Sequence, residues 1–190
     1  MTAGDWPPLP EAIPTPRSLL RPFSVADADD VYVYRRDPEI VQFLPVSQPF
    51  ERADADHFVA TQVLADPRER CVWALEHEGH VVGGVSLRIA RQQLRAEIGY
   101  ELARWLWGRG IMTEAVSDLV DIAFRRLPIL KVSATAAAPN VRSTRLLQRL
   151  GMQREALLRR HWVHRGRILD ELRYGLLREE WERNDIANSG

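Results

Sequence analysis

Just past its midpoint the 190-residue chain changes hydrophobic period. The stretch RAEIGYEL, Arg95 to Leu102, alternates as a strand does. From Thr113 the apolar residues Val116, Leu119, Val120, Ala123 and Leu127 recur at helical intervals until Pro128 stops the run. Between them lies WLWGRGIMTEA, Trp105 to Ala115, with Gly108 and Gly110 flanking one arginine. A strand that must become an amphipathic helix within a few residues needs a bare backbone at the turn. Such a turn aims several free N–H groups at one point, and an anion is their natural occupant.

The flanking segments fill in the architecture. Five prolines from Pro7 to Pro16 make the leader an extended arm rather than part of a domain. RSLLRPF reads as a first strand, and Ser24 is an N-cap with Asp27, Asp29 and Asp30 in the first turns of the helix it starts. Short helices are expected around PEIVQFL and in RADADHFVATQVLA. CVWAL, HVVGGVSLRI and RAEIGYEL then form a meander of three antiparallel strands. After the Thr113 helix come the strand ILKVSATAAA, a helix in PNVRSTRLLQRLG capped by Asn140 and closed at Gly151, and the strands EALLRRHWV and ILDELRYGLL. The order predicts a single α+β domain: a mostly antiparallel mixed sheet of about seven strands with helices on both faces. Its bounds are an arm over 1–16, the domain over 17–181 and a frayed tail over 182–190.

Composition narrows the function classes. Lys plus Arg and Asp plus Glu both number 26, so no global charge favours nucleic acid or a membrane. Cys71 is the single cysteine and reads as a small core residue; it rules out an intrachain disulfide and a cysteine-based zinc site. The pairs in HEGH and HWVH lack a third ligand nearby, so no metal is expected. Trp73 and Trp105 read as core. The N-terminus has no signal-peptide pattern and no apolar run approaches a bilayer span, so a cytoplasmic protein is expected. No third glycine completes G-x-G-x-x-G and no Gly-Lys-Ser/Thr is present, which removes the dinucleotide and P-loop readings.

Three motifs in order, AEIGYELARWLWGRGIMTEA, NVRSTRLLQRLGM and the closing YGLLREEW, make Arg17 to Trp181 resemble the GNAT acyltransferase superfamily, in its RimJ/RimL-like branch. The resemblance implies an acetyl-CoA-dependent N-acetyltransferase acting on a primary amine such as a protein N-terminus or a small amine. It implies that Arg109, Gly110, Ile111, Met112 and Thr113, after Trp107 and Gly108, cradle the pyrophosphate. Tyr100, Glu101 and Leu102 would present backbone to the donor, with a strand bulge there supplying an N–H for the oxyanion. Asn140 would meet the pantetheine arm. Met112 departs from the usual glycine or alanine, and Trp107 is usual in this branch. A ribosomal-protein acceptor and a homodimer are within the same expectation.

Acyl transfer from a thioester needs a neutral amine, and an alkyl ammonium with a pKa near ~10 must first lose its proton. Period-two alternation puts Glu97 and Glu101 on one face of the strand, with Gly99 leaving room between them. By resemblance Glu97 holds the place of the catalytic base in the histone acetyltransferase branch, and Glu101 is second. Leu147 stands where many members carry a tyrosine for the thiolate, and the branch assigns that task to the residue matching Ser143. Ser143 also fits as an ordinary residue in the first turn of its helix. Nine arginines run from Arg142 to Arg173. Arg142, Arg145 and Arg149 share a helix face suited to solvent, to the 3′-phosphate of coenzyme A, or to an acidic acceptor or RNA. The alternative to catalysis is an acyl-CoA-binding or ribosome-interacting module.

Overall fold

The computed structural model of the chain describes residues 6–46 and 48–188. Its strands are β1 (Ile13–Pro14), β2 (Leu19–Arg21), β3 (Arg70–His77), β4 (His80–Ala90), β5 (Arg95–Leu102), β6 (Lys131–Ala137), β7 (Gln153–His164) and β8 (Arg167–Leu177). The α-helices are α1 (Ala28–Arg35), α2 (Arg52–Val63), α3 (Ile111–Arg126), α4 (Val141–Arg149) and α5 (Arg178–Asn188). One sheet holds all eight strands in the order β1-β2-β3-β4-β5-β6-β8-β7. Every neighbouring pair is antiparallel except β5 with β6, which is parallel and reached through α3.

The α+β sheet with helices on both faces is as expected, with one strand more than the sequence reading. The extra strand comes from the arm. Its prolines keep Ile13–Pro14 extended, and β1 pairs with Leu19 and Leu20 of β2. Ile13 is fully buried, and Trp73 Nε1 donates to Pro10 O at 3.2 Å, so the arm is stitched to the sheet. Proline after Arg21 cuts the first strand to three residues.

Local chemistry places most other boundaries. Ser24 and Asp27 form a reciprocal capping box over a 3-10 turn that leads into α1. PEIVQFL yields a single 3-10 turn at Val41–Phe43 in place of the expected helix. Helix α3 begins at Ile111, two residues before the expected Thr113, because Gly110 takes the left-handed φ of 83° that ends the turn. Ile111, Met112, Ala115, Val116, Leu119, Val120, Ala123 and Phe124 bury one side of it. Asn140 Oδ1 accepts from Ser143 N at 3.2 Å to cap α4, and Gly151 has the positive φ expected after its end.

The site depends on how β5 leaves β6. Their register holds only for Arg95, Ala96 and Glu97 against Lys131, Val132 and Ser133. Beyond Glu97 the strands diverge: β5 stays with β4 through Leu102, and β6 stays with β8 through Ala137. Ala103 N donates to Val82 O, so by alternation the main-chain groups of Glu97, Gly99 and Glu101 turn to β4 and those of Tyr100 and Leu102 turn to the opening. The bulge expected at Tyr100–Leu102 is absent from the β4–β5 ladder, whose register is unbroken. The irregularity is the splay on the other side of the strand.

The chain from 182 on, expected to fray, continues α5. The segment is anchored by Arg178, whose guanidinium donates to the carbonyls of Phe124, Leu127 and Ile129 at 2.7–2.9 Å where α3 ends. Trp181 stacks on Phe124 at 5.2 Å and its Nε1 donates to Asp121 at 2.6 Å. Trp181→Ala should therefore lower stability by roughly 2–3 kcal/mol, less than for a wholly buried tryptophan, read from the urea midpoint at unchanged m-value.

Candidate active site

The splay opens a cavity of about 740 Å³, within the range of small-molecule sites. One wall is β5 from Glu97 to Leu102, a second is the turn from Leu106 to Thr113, and a third is the start of α4 with Asn140, Arg142, Ser143 and Arg145. Leu44, Pro45, Trp162 and Glu171 close the far end. Most residues expected at the site line this one cavity; Arg109 and Ile111 lie in its turn without lining it.

The turn has the geometry that the glycines imply. Gly108 and Gly110 have φ of 76° and 83°, conformations that cost a residue with a Cβ. Helix α3, sixteen residues long, starts directly behind them and directs its positive end at the turn. Arg17, at the end of the arm, braces it from outside. Its guanidinium donates to Arg109 O at 2.7 Å and pairs with Glu114 of α3 at 2.5 Å. The hydrogen bond from Glu114 raises the Arg17 pKa. Trp107 donates from Nε1 to Leu102 O at 2.8 Å, tying the turn to the end of β5, and Arg142 lies over its ring at 4.2 Å. Met112 is buried at the cavity wall.

The two glutamates share a face but have different surroundings. Glu97 is exposed, lines the cavity and makes no hydrogen bond or ion pair among the described residues. Glu101 is pinned. Arg35 of α1 holds it with two hydrogen bonds at 2.9 and 2.7 Å, and Tyr34 O–H donates to it at 2.7 Å. Both partners of the pair are about nine-tenths buried. The Arg35 guanidinium also lies 3.4 Å from the ring centroid of Phe58 in α2. Burial works against the Arg35 charge, but the attraction of Glu101 outweighs it and keeps its pKa above the ordinary value. Burial, then Glu101, pushes the Tyr34 phenol well above its usual pKa. With three donors on it, the Glu101 carboxylate is fixed as an anchor between α1 and β5.

On the opposite face of β5 the Tyr100 hydroxyl lies 2.8 Å from Ser143 Oγ. Leu147, one turn along α4, is fully buried in the core and carries no proton. Arg145 and Arg149 line the cavity with Arg142, so this helix face is not purely solvated. The β7–β8 hairpin adds Glu171, whose carboxylate accepts from Arg173 at 3.0 Å, and Trp162, stacked on the buried His164. Sequence reasoning missed Arg17, Arg35, Glu171 and the Tyr100 side chain. No local pattern marks them, since each acts across the fold. Trp105, read as core, is half exposed because it lies on the outside of the 3-10 turn Arg104–Leu106. Trp73 is core and Cys71 packs beside the core, its thiol 3.2 Å from Pro67 O. Among the described residues no three or more His, Cys, Asp or Glu side chains gather to hold a metal, and no helix is long and apolar enough to cross a membrane.

A glycine turn at a helix N-terminus, a splayed sheet edge and an exposed carboxylate on one cavity define a site for a phosphate-bearing acyl donor and a nucleophile. The acetyltransferase (GNAT) domain family matches residues 17–153. The N-acetyltransferase p20 of Bacillus licheniformis is 31% identical over 175 residues, 90% of this chain and 98% of that protein. The N-acetyltransferase YnaD of Bacillus subtilis is 27% identical, covering 89% of this chain and 98% of its own. A solved structure from T. thermophilus, described as an acetyltransferase, is 29% identical with a TM-score of 0.80 over 94% of this chain and 95% of that one. The chain belongs to the GNAT acetyltransferase family. It is an N-acetyltransferase, and acetyl-CoA is its acetyl donor.

Two measurements check this geometry. A Cβ on Gly110 would meet Arg17 Nη2 at 3.0 Å besides straining a φ of 83°, so Gly110→Val should weaken acetyl-CoA binding in calorimetry about tenfold or more, ~1.4 kcal/mol, with the fold intact by circular dichroism. Arg35→Met leaves the Glu101 carboxylate buried without its counter-charge and should cost roughly 3–5 kcal/mol in chemical denaturation.

Proposed function

We propose that the site transfers an acetyl group to a primary amine by direct attack on the bound thioester, with Glu97 as the base and Ser143 facing the departing sulfur. The observation that carries this reading is the placement of Glu97 and Ser143 on opposite sides of the same splay, both lining one cavity. The amine nitrogen bonds to the carbonyl carbon and gives its proton to the Glu97 carboxylate, which has no competing partner among the described residues. Main-chain N–H groups of Tyr100 and Leu102, turned to the opening, suit the oxyanion. Such fixed donors are worth ~2.7–4 kcal/mol of barrier in other acyl transfers. As the C–S bond breaks, the electron pair stays on sulfur beside the Ser143 hydroxyl. Glu101 acts through position, holding β5 against α1 on the acceptor side.

Gly108 to Thr113 take the pyrophosphate, Asn140 the pantetheine arm, and Arg142 and Arg145 the phosphates beyond. The catalytic domain spans 17–181. The acceptor we favour is the N-terminus of a protein, ribosomal proteins included. Support comes from likeness to two proteins. YdaF of B. subtilis, named provisionally as a ribosomal N-acetyltransferase, is 36% identical over 109 residues, 57% of this chain and 60% of that protein. RimL, described as a ribosomal L7/L12 alpha-N-protein acetyltransferase in complex with coenzyme A, shares the fold at 18% identity and a TM-score of 0.80, covering 90% of this chain and 99% of that one.

The test is release of coenzyme A thiol from acetyl-CoA against peptides with free N-termini, polyamines and amino acids. A peptide preference supports the reading, and no turnover with any amine favours a binding module. On the best acceptor Glu97→Gln should lower kcat by roughly 10²-fold while acetyl-CoA affinity holds. Full kcat across a pH profile would remove Glu97 as the base.

A further inference from the structure

Tyr100 stands on the face of β5 opposite Glu97, so it takes no part in accepting the amine proton. Its hydroxyl oxygen is 2.8 Å from Ser143 Oγ and 3.4 Å from the Ser143 carbonyl oxygen. Each hydroxyl has one proton, so only one of them can donate across the 2.8 Å gap. The phenol is the more acidic of the two and so the better donor, and its alternative acceptor lies at the far limit of a hydrogen bond. Ser143 Oγ has no other partner among the described residues and opens on the cavity. With the tyrosine proton on Ser143 Oγ, the serine proton is directed away from Tyr100, into the cavity.

We infer that Tyr100 is a positioning residue acting through Ser143: it orients the serine O–H as a donor to the sulfur of coenzyme A. The inference rests on the placement of Ser143 proposed above. No proton leaves the tyrosine. The C–S bond breaks with its electron pair going to sulfur, the serine O–H stabilises that charge, and water finally protonates the thiolate. Burial pushes the Tyr100 pKa to about 12, with the Ser143 hydrogen bond opposing and Tyr174 adding, so the phenol remains a donor at neutral pH. The position on α4 that could supply a tyrosine is the buried Leu147, and the phenol arrives from the sheet instead.

The bound product reports on this without any acceptor. Coenzyme A is titrated in complex with the protein by thiolate ultraviolet absorbance, with affinity checked by calorimetry. Tyr100→Phe should raise the pKa of the bound thiol by about one unit, the size expected of a charge-assisted hydrogen bond, and Ser143→Ala by at least as much. The double variant should match Ser143→Ala. Glu97, Glu101, Arg142 and Arg145 also line the cavity and are unchanged in all four proteins, so they cancel in the comparison. A silent Tyr100→Phe beside an active Ser143→Ala overturns the inference while sparing the serine placement. An equal effect of Tyr100→Phe in the Ser143→Ala background overturns it too, because the phenol would then act directly. A silent Ser143→Ala removes the serine placement and the inference with it.

Discussion

Everything at the site follows from one broken ladder. A parallel pair that holds for three residues and then diverges leaves two strand edges inside a sheet, each with main-chain donors and acceptors that need partners. A buried edge of this kind is costly unless something polar occupies it. The extended pantetheine arm of acetyl-CoA, rich in amide groups, suits such an edge. The sheet thus consists of two sections, β1 to β5 and β6 to β8, with the cavity in the wedge between them and the glycine turn at its mouth.

A wedge stays open only if its sides are held elsewhere. On the β5 side the hold is the Arg35–Glu101 pair with Tyr34, a charge cluster that is about nine-tenths buried and covered by Phe58. Buried pairs of this kind add little net stability over a well-packed apolar set, but they accept only one geometry, and removing one partner is severe. The pair fixes the height of the acceptor-side face of β5 relative to α1. On the β6 side the hold is α5, whose Arg178 and Trp181 clasp the end of α3. The N-terminal arm completes the frame by bringing Arg17 against the outside of the phosphate turn.

The two faces of β5 divide the chemistry. Odd-numbered residues meet α1 and the acceptor side, where an exposed carboxylate can take a proton. Even-numbered residues meet α4, where neutral hydroxyls can face a sulfur. A base and a hydrogen-bond donor are thereby kept apart by the thickness of a sheet, so the amine proton has no short path to the donor pair.

Much of this was legible in the chain. The alternation in RAEIGYEL, the glycines at 108 and 110, the helical period after them and the caps at Ser24 and Asn140 fixed the element order, the phosphate turn and the parity of Glu97 and Glu101. These are nearest-neighbour effects, in which sterics, hydrogen bonding and period act within a turn or two of chain. The local reading failed where local signals were weak or misleading: the proline arm that forms a strand, the single turn in PEIVQFL, the exposed Trp105 and the ordered α5. It could not see the contacts that make the site specific, because these join residues far apart in sequence. Arg35 reaches Glu101 across 66 positions, Tyr100 reaches Ser143 across 43, and Arg17 reaches Glu114 across 97. Which glutamate is pinned, which is left open to the cavity and which hydroxyl meets Ser143 were settled only by packing α1 and α4 on opposite faces of one strand, since burial and pairing are properties of the assembled sheet and not of any segment of it.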